Sequence, residues 1–100
     1  MKTTIQEQGG CLAAIFEGRL DTSAAPQTEQ DMKPLYDANV KDVILDCTNL
    51  QYISSSGLRL FLGVLKATKP KGGHVYIKGL NADLQNVFAM TGFTNLFEFK

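Results

Sequence analysis

The run KDVILDCTNLQYISSSGLRLFLGVLKA, residues 41–67, reads as a strand, a hydroxyl-rich loop and a helix in immediate succession. Lys41 to Cys47 carries Val43, Ile44 and Leu45 side by side, which suits burial on both faces, so this strand is expected at the centre of a sheet. The polar stretch Asp46, Cys47, Thr48 and Asn49 marks its edge. Leu58 to Ala67 is almost wholly apolar and has no proline, as expected of a packed helix. Between them, Ser54, Ser55, Ser56 and Gly57 put a cluster of hydroxyls at the helix start. The first four N–H groups of a helix lack intrahelical partners and carry about half a positive charge. A serine there either caps the helix or marks a place where a phosphate is well tolerated.

Working outward, Thr3 to Gln8 and Cys11 to Glu17 are strand-like runs joined by Gly9 and Gly10, a pair suited to a hairpin turn, so the first two strands should be antiparallel neighbours. Leu20 to Ala25 turns the chain, and Pro26 suits a first helical position, with Met32, Leu35 and Tyr36 continuing an apolar face. Pro34 should kink or divide that helix near Lys33. Downstream, Pro70, Gly72 and Gly73 end the second helix and lead into a strand, His74 to Lys78. Asn81 suits the N-cap of a third helix carrying Leu84, Val87, Phe88 and Met90, with Gly92 as its stop and Leu96 to Phe99 as an edge strand. The expected order is ββαβαβαβ: one α/β domain over residues 1–100, with a mixed sheet of about five strands and three main helices.

Composition narrows the function classes. The chain has 100 residues, 44% apolar and 20% charged, and ten bases balance ten acids. This removes the electrostatic term that dominates nucleic-acid affinity, so direct DNA or RNA binding is not expected. No apolar stretch is long enough to cross a bilayer, and Met1 to Gln8 lacks the apolar segment of a secretory signal, so no membrane insertion and a cytoplasmic location are expected. Cys11, Cys47 and the lone His74 supply too little for a metal site, and both cysteines read as small buried apolar residues. No metal or cofactor is implied.

Two features of the 54–67 region bear on function. The helix is apolar around more than half its circumference: Leu58, Phe61, Leu62 and Leu65 face one way, Leu60, Val64 and Ala67 largely the other, and Arg59, Gly63 and Lys66 form a narrow polar stripe. Either it is sandwiched between sheet and neighbouring helix, or part of it is a protein docking face. Three consecutive serines exceed the need for one cap. A nucleophilic serine would require a base and an oxyanion site; His74 is the only histidine and no GxSxG pattern occurs, so no catalytic residue is assigned and the chain is not read as an enzyme. A phosphoacceptor needs only exposure and a kinase supplied in trans. No phosphate-cradling glycine loop is present, which argues against nucleotide binding.

The whole chain resembles the STAS domain of bacterial anti-sigma factor antagonists. The resemblance is carried by Gly18, Arg19, Leu20 and Asp21; by Val43 to Asp46 leading through Leu50, Tyr52 and Ile53 to Ser54, Ser55, Ser56, Gly57 and Leu58; by Gly72 and Gly73; and by Met90, Thr91, Gly92 and Phe93. It implies that Ser56, just before the glycine, is phosphorylated by a partner that is both anti-sigma factor and serine kinase, with Ser55 as second choice. It further implies that the unphosphorylated chain holds that partner and frees a sigma factor, and that a serine phosphatase restores this state. The partner surface implied comprises Asp21, Ser54, Ser55, Ser56, Gly57, Leu58, Arg59 and Leu60. The family's loop usually carries an aspartate where this chain has Ser54. Asp21 is equally a turn or capping residue, and Tyr52 and Ile53 are expected to anchor the loop to the core. The alternative is a STAS subunit supporting a membrane transporter ATPase through a constitutive interface. The oligomeric state stays open.

Overall fold

The computed structural model describes residues 1–37 and 39–100. A left-handed Gly9–Gly10 turn closes a hairpin between β1 (Lys2–Gln8) and β2 (Cys11–Leu20). The chain continues through α1 (Ala25–Asp31), β3 (Asp42–Ile53), α2 (Ser55–Thr68), β4 (His74–Lys78), α3 (Ala82–Met90) and β5 (Glu98–Phe99). This is the expected ββαβαβαβ order. Pro34 divides the first helical region as anticipated: α1 stops at Asp31, and a separate 3₁₀ turn covers Lys33–Tyr36, burying Leu35. The final strand is shorter than Leu96 to Phe99, because Phe97 turns into the core and Leu96 closes a 3₁₀ turn.

The sheet order is β1-β2-β3-β4-β5, antiparallel between β1 and β2 and parallel thereafter. Each crossover steps one strand in the same direction, and right-handed crossovers of that kind put all their helices on one face. The core lies there. Leu12, Ala14 and Phe16 of β2, Val43, Leu45 and Cys47 of β3 and Val75 and Ile77 of β4 pack with Phe61, Val64 and Leu65 of α2 and Leu84 and Phe88 of α3. Ile44 lies in the other row, in register with Ala13 and Tyr76, so the three adjacent apolar residues of β3 divide between the two faces.

Both β2 and β3 run further than the sequence suggested. β2 continues past Glu17 to Leu20, and β3 continues past Cys47 to Ile53. The pairing shows why: Ile15 faces Asp46 but Glu17 faces Asn49, and Gly18 faces Leu50 but Arg19 faces Tyr52. At each step β3 spends one extra residue, so its inward residues come at intervals of three, Cys47, Leu50 and Ile53, rather than two. An alternation test misses such a strand. Gly18 of β2, which stands at the second irregularity, has φ 106°, a conformation that favours glycine.

The apolar circumference of α2 is used inside the fold. Leu58, Leu60, Phe61, Val64 and Leu65 are all buried, since α2 lies between the sheet on one side and α1 with the Lys33–Tyr36 turn on the other. Phe16 and Phe61 rings stand 5.2 Å apart, Phe61 and Phe88 6.3 Å, so one line of aromatic contacts joins β2, α2 and α3.

At the start of α2 the helix comes so close to the sheet that a Cβ on Gly57 would lie 2.8 Å from Ile53 Cγ1, 2.8 Å from Leu20 Cγ and 3.0 Å from Leu20 Cδ2. Alanine gains up to about 1 kcal/mol in helix propensity over glycine, but forcing a methyl into packed branched carbons costs about 1–3 kcal/mol. Gly57→Ala is therefore expected to lower the urea midpoint despite its better propensity. A midpoint at or above wild type would show that Leu20 and Ile53 yield without cost.

Candidate functional site

The carboxyl ends of β2 and β3 meet where Ser54 N–H donates to the Leu20 carbonyl at 2.8 Å, one step beyond the last register pair Leu20–Ile53. That bond sets Asp21 beside the serine loop. Ser54 has an extended backbone and is the N-cap of α2: its Oγ accepts from Gly57 N–H at 3.2 Å and its carbonyl from Leu58 N–H at 2.9 Å. Ser54 is only 7% exposed. Its hydroxyl belongs to the helix start, a task aspartate performs equally well, which gives the family's usual residue at this position a physical equivalent.

Ser55 and Ser56 are the first two helical residues, where N–H groups have no acceptor within the helix. Ser55 is exposed and Ser56 half-buried; Gly57, Leu58 and Leu60 are buried, and Arg59 is exposed. Of the seven residues 54–60 assigned by resemblance to a partner surface, the fold thus presents Ser55, Ser56 and Arg59 outward. It sets Ser54, Gly57, Leu58 and Leu60 beneath them as support. Three and four residues separate Ser56 and Ser55 from Arg59, so all three share one face of the first turns.

Asp21 folds onto its own turn. Its Oδ1 accepts from Ala24 N–H at 2.9 Å and from Ser23 Oγ–H at 2.8 Å, ahead of α1. The Ala24 bond, then the Ser23 bond, with a weaker contribution from the Arg19 charge, hold its carboxyl below the usual aspartate value. Asp21 therefore plays the turn role, bonding Ser23 and Ala24 ahead of α1, whose N-cap Ala24 has no side-chain cap of its own.

Two residues that the sequence reading left out of the site stand next to it. Arg19 and Tyr52 face each other in the β2–β3 register, with the guanidinium carbon 4.5 Å from the centre of the Tyr52 ring. Tyr52 is 40% exposed, so Ile53 alone anchors the loop to the core and Tyr52 does not. Sequence could not align the two because the alignment depends on both irregularities of β3.

The chemistry available to the serines is limited. His74 opens β4 opposite Asp42, at the far end of the parallel strands from Ser54, and pairs with Glu98 at 2.7 Å. It is no base for these hydroxyls. Among the described residues no group of three His, Cys, Asp or Glu side chains could hold a metal ion, and no helix is long and apolar enough to cross a membrane. Burial, and secondarily Asp46, pushes the Cys47 thiol far up, whereas Cys11 is only partly buried. A cavity of about 630 Å³ lies between β4, α3 and the terminal segment, lined by Ile77, Leu80, Phe88 and Phe99, and takes in none of the serine loop. The loop is an open surface.

Two measurements test this geometry. Ser54→Ala is expected to cost about 1 kcal/mol in chemical unfolding, while Ser54→Asp holds wild-type stability because it restores the acceptor for Gly57 N–H. Equal stability of the alanine variant would remove the capping assignment. The depressed Asp21 carboxyl contributes fully above its unfolded value and is lost as pH falls through the folded one. Below about pH 4, wild type should therefore lose stability more steeply than Asp21→Asn, as read by urea midpoints along a pH series; parallel curves would count against it.

Comparison with known proteins agrees with this layout. The STAS domain family matches residues 2–100. BtrV of Bordetella bronchiseptica, designated a candidate anti-sigma factor antagonist, is 33% identical over 97 residues, covering 97% of this chain and 84% of the relative. An anti-sigma-factor antagonist (STAS) domain protein from Planctomyces limnophilus superposes with a TM-score of 0.90 at 14% identity, covering 98% of this chain and 87% of that one. The Bacillus cell fate determinant SpoIIAA, in its phosphorylated form, superposes at 0.75 and 18% identity, covering 99% and 91%. With a one-sided five-stranded sheet, a serine-capped second helix and a family match spanning the fold, the chain belongs to the STAS domain family and falls among its anti-sigma factor antagonists.

Proposed function

We propose that the chain binds an anti-sigma factor through the surface of Ser55, Ser56 and Arg59, flanked by Asp21, and that phosphorylation of Ser56 ends the association. The partner doubles as the kinase and a separate serine phosphatase reverses the change. The observation that supports this most directly is the placement of Ser56. It lies at the surface in the first turn of α2, beside unpaired N–H groups and with no histidine to activate it, which suits a hydroxyl modified by another protein better than one that attacks a substrate. In the transfer, Ser56 Oγ bonds the γ-phosphorus of ATP held by the kinase, the bond to the β–γ bridging oxygen breaks, and the serine proton passes to a base on the kinase. Ser55, one residue nearer the cap and more exposed, is the second acceptor.

The switch acts through charge. A phosphoryl group adds about −1.5 to −2 charges at neutral pH, on a helix end that tolerates anions, so the domain keeps its fold while its docking surface becomes anionic. Ser54, Gly57, Leu58 and Leu60 contribute by holding that surface in place.

The test is affinity purification from the source cell with wild type, Ser56→Ala and Ser56→Asp chains, with identification of retained proteins and intact-mass analysis of the wild type. The expected result is an anti-sigma kinase retained by Ser56→Ala and weakened at least about tenfold, ~1.4 kcal/mol, by Ser56→Asp, together with a mono-phosphorylated wild-type fraction that Ser56→Ala lacks. Retention of one membrane transporter complex by all three chains would favour the constitutive subunit instead. Amide chemical shifts of the phosphorylated chain should change only around the ends of β2 and β3 and the start of α2; changes running through Phe61 to Phe88 would overturn the local mechanism.

A further inference from the structure

Resting on the docking surface just proposed, we infer that the Arg19–Tyr52 pair is a second recognition element for the same partner, and that it receives an acidic side chain of that partner. Arg19 and Tyr52 are the next-to-last register pair of β2 and β3, and the last pair, Leu20 and Ile53, are the buried anchors of the site. One residue further stand Asp21 and Ser54. The pair is thus joined to the serine loop by two rigid strands and the Ser54–Leu20 bond.

The pair is built for contact and has no structural employment that explains its exposure. Tyr52 lies outside the core cluster, with 40% of its surface open. The guanidinium of Arg19 covers one face of the ring, which restrains both side chains before any partner arrives, and restrained side chains lose less entropy on binding. Tyrosine and arginine are the residue types that most often carry binding energy at protein interfaces. Among the described residues no carboxylate lies within ion-pair distance of Arg19, and Asp21 Oδ1 is committed to Ala24 and Ser23. The N–H edges of the guanidinium therefore remain for a planar acceptor, which a carboxylate fits with two parallel hydrogen bonds.

Charge at the strand ends supports the choice of an acidic partner. Arg19 at the strand ends and Arg59 on the first turns of α2 are exposed cations near the serines, with Asp21 as the neighbouring carboxylate. A phosphoryl group on Ser56 adds negative charge beside these cations, and an acidic partner surface is the kind such an addition expels. The recognition element and the switch then use the same complementarity.

The experiment uses the full chain as wild type, Arg19→Gln, Arg19→Lys, Tyr52→Ala and Ser56→Asp, with thermal melts of each. The probe is the purified protein that Ser56→Ala retains and Ser56→Asp loses. Affinity is expected to fall at least about tenfold for Arg19→Gln and for Tyr52→Ala, and less for Arg19→Lys, which keeps the charge and loses the fork. The association rate of Arg19→Gln should also depend less steeply on salt than that of wild type, which a purely structural role would not produce. Wild-type affinity and salt dependence in the Arg19 and Tyr52 variants, with Ser56→Asp still deficient, would overturn this inference and leave the phosphoserine switch standing. Failure to find any protein whose retention depends on Ser56 would overturn both.

Discussion

The parallel pairing of β2 with β3 governs the rest of the molecule. It sets the central strand, carries the two irregularities that bring Leu50 and Ile53 back to the core, and closes with the Ser54 N–H to Leu20 bond. Because that bond terminates the ladder, α2 begins at a fixed point above both strand ends. Its first turn presses on Leu20 and Ile53 so closely that only a residue without a Cβ fits at Gly57. Movement of this junction would displace the cap, the exposed serines and Asp21 together, since backbone hydrogen bonds and contact between branched carbons leave little room for independent adjustment.

The surface that results is economical in chemistry. One hydroxyl, that of Ser54, is spent on the helix start, and the remaining two stand outside with Arg59 on the same helix face. His74 lies at the far end of the parallel strands, and the cavity beside α3 takes in none of them. A rigid platform of this kind suits recognition by another protein, because a macromolecular partner supplies the area that an open surface cannot enclose. It also suits control by an added anion, which the helix end accommodates without refolding.

The one-sided sheet explains where the apolar residues of α2 go. With every crossover on one face, the middle helix has strands beneath it and α1 with the Lys33–Tyr36 turn beside it, so a nearly all-round apolar helix is buried on most sides. The polar stripe is what reaches solvent, through Arg59 and Lys66. Periodicity within α2 is the same for a sandwiched helix and for one with an exposed docking face, and neighbours supplied by distant sequence decide between them.

By itself the sequence determined the order of elements, the hairpin at Gly9 and Gly10, the break at Pro34, the cap at Asn81 and the hydroxyl cluster at a helix start, and its quoted motifs were enough to indicate the family; that Ser54 is the serine that caps α2 came from the structure. The features legible in sequence are local matters of backbone freedom, missing donors and side-chain acceptors, which a few adjacent residues settle. Only the tertiary structure decided how far β2 and β3 extend, which serines are exposed, that Leu58 and Leu60 are buried, and that Arg19 stacks on Tyr52. Each of these depends on register between segments some thirty residues apart, and a single extra residue in one strand shifts that register without leaving a periodic trace in the sequence.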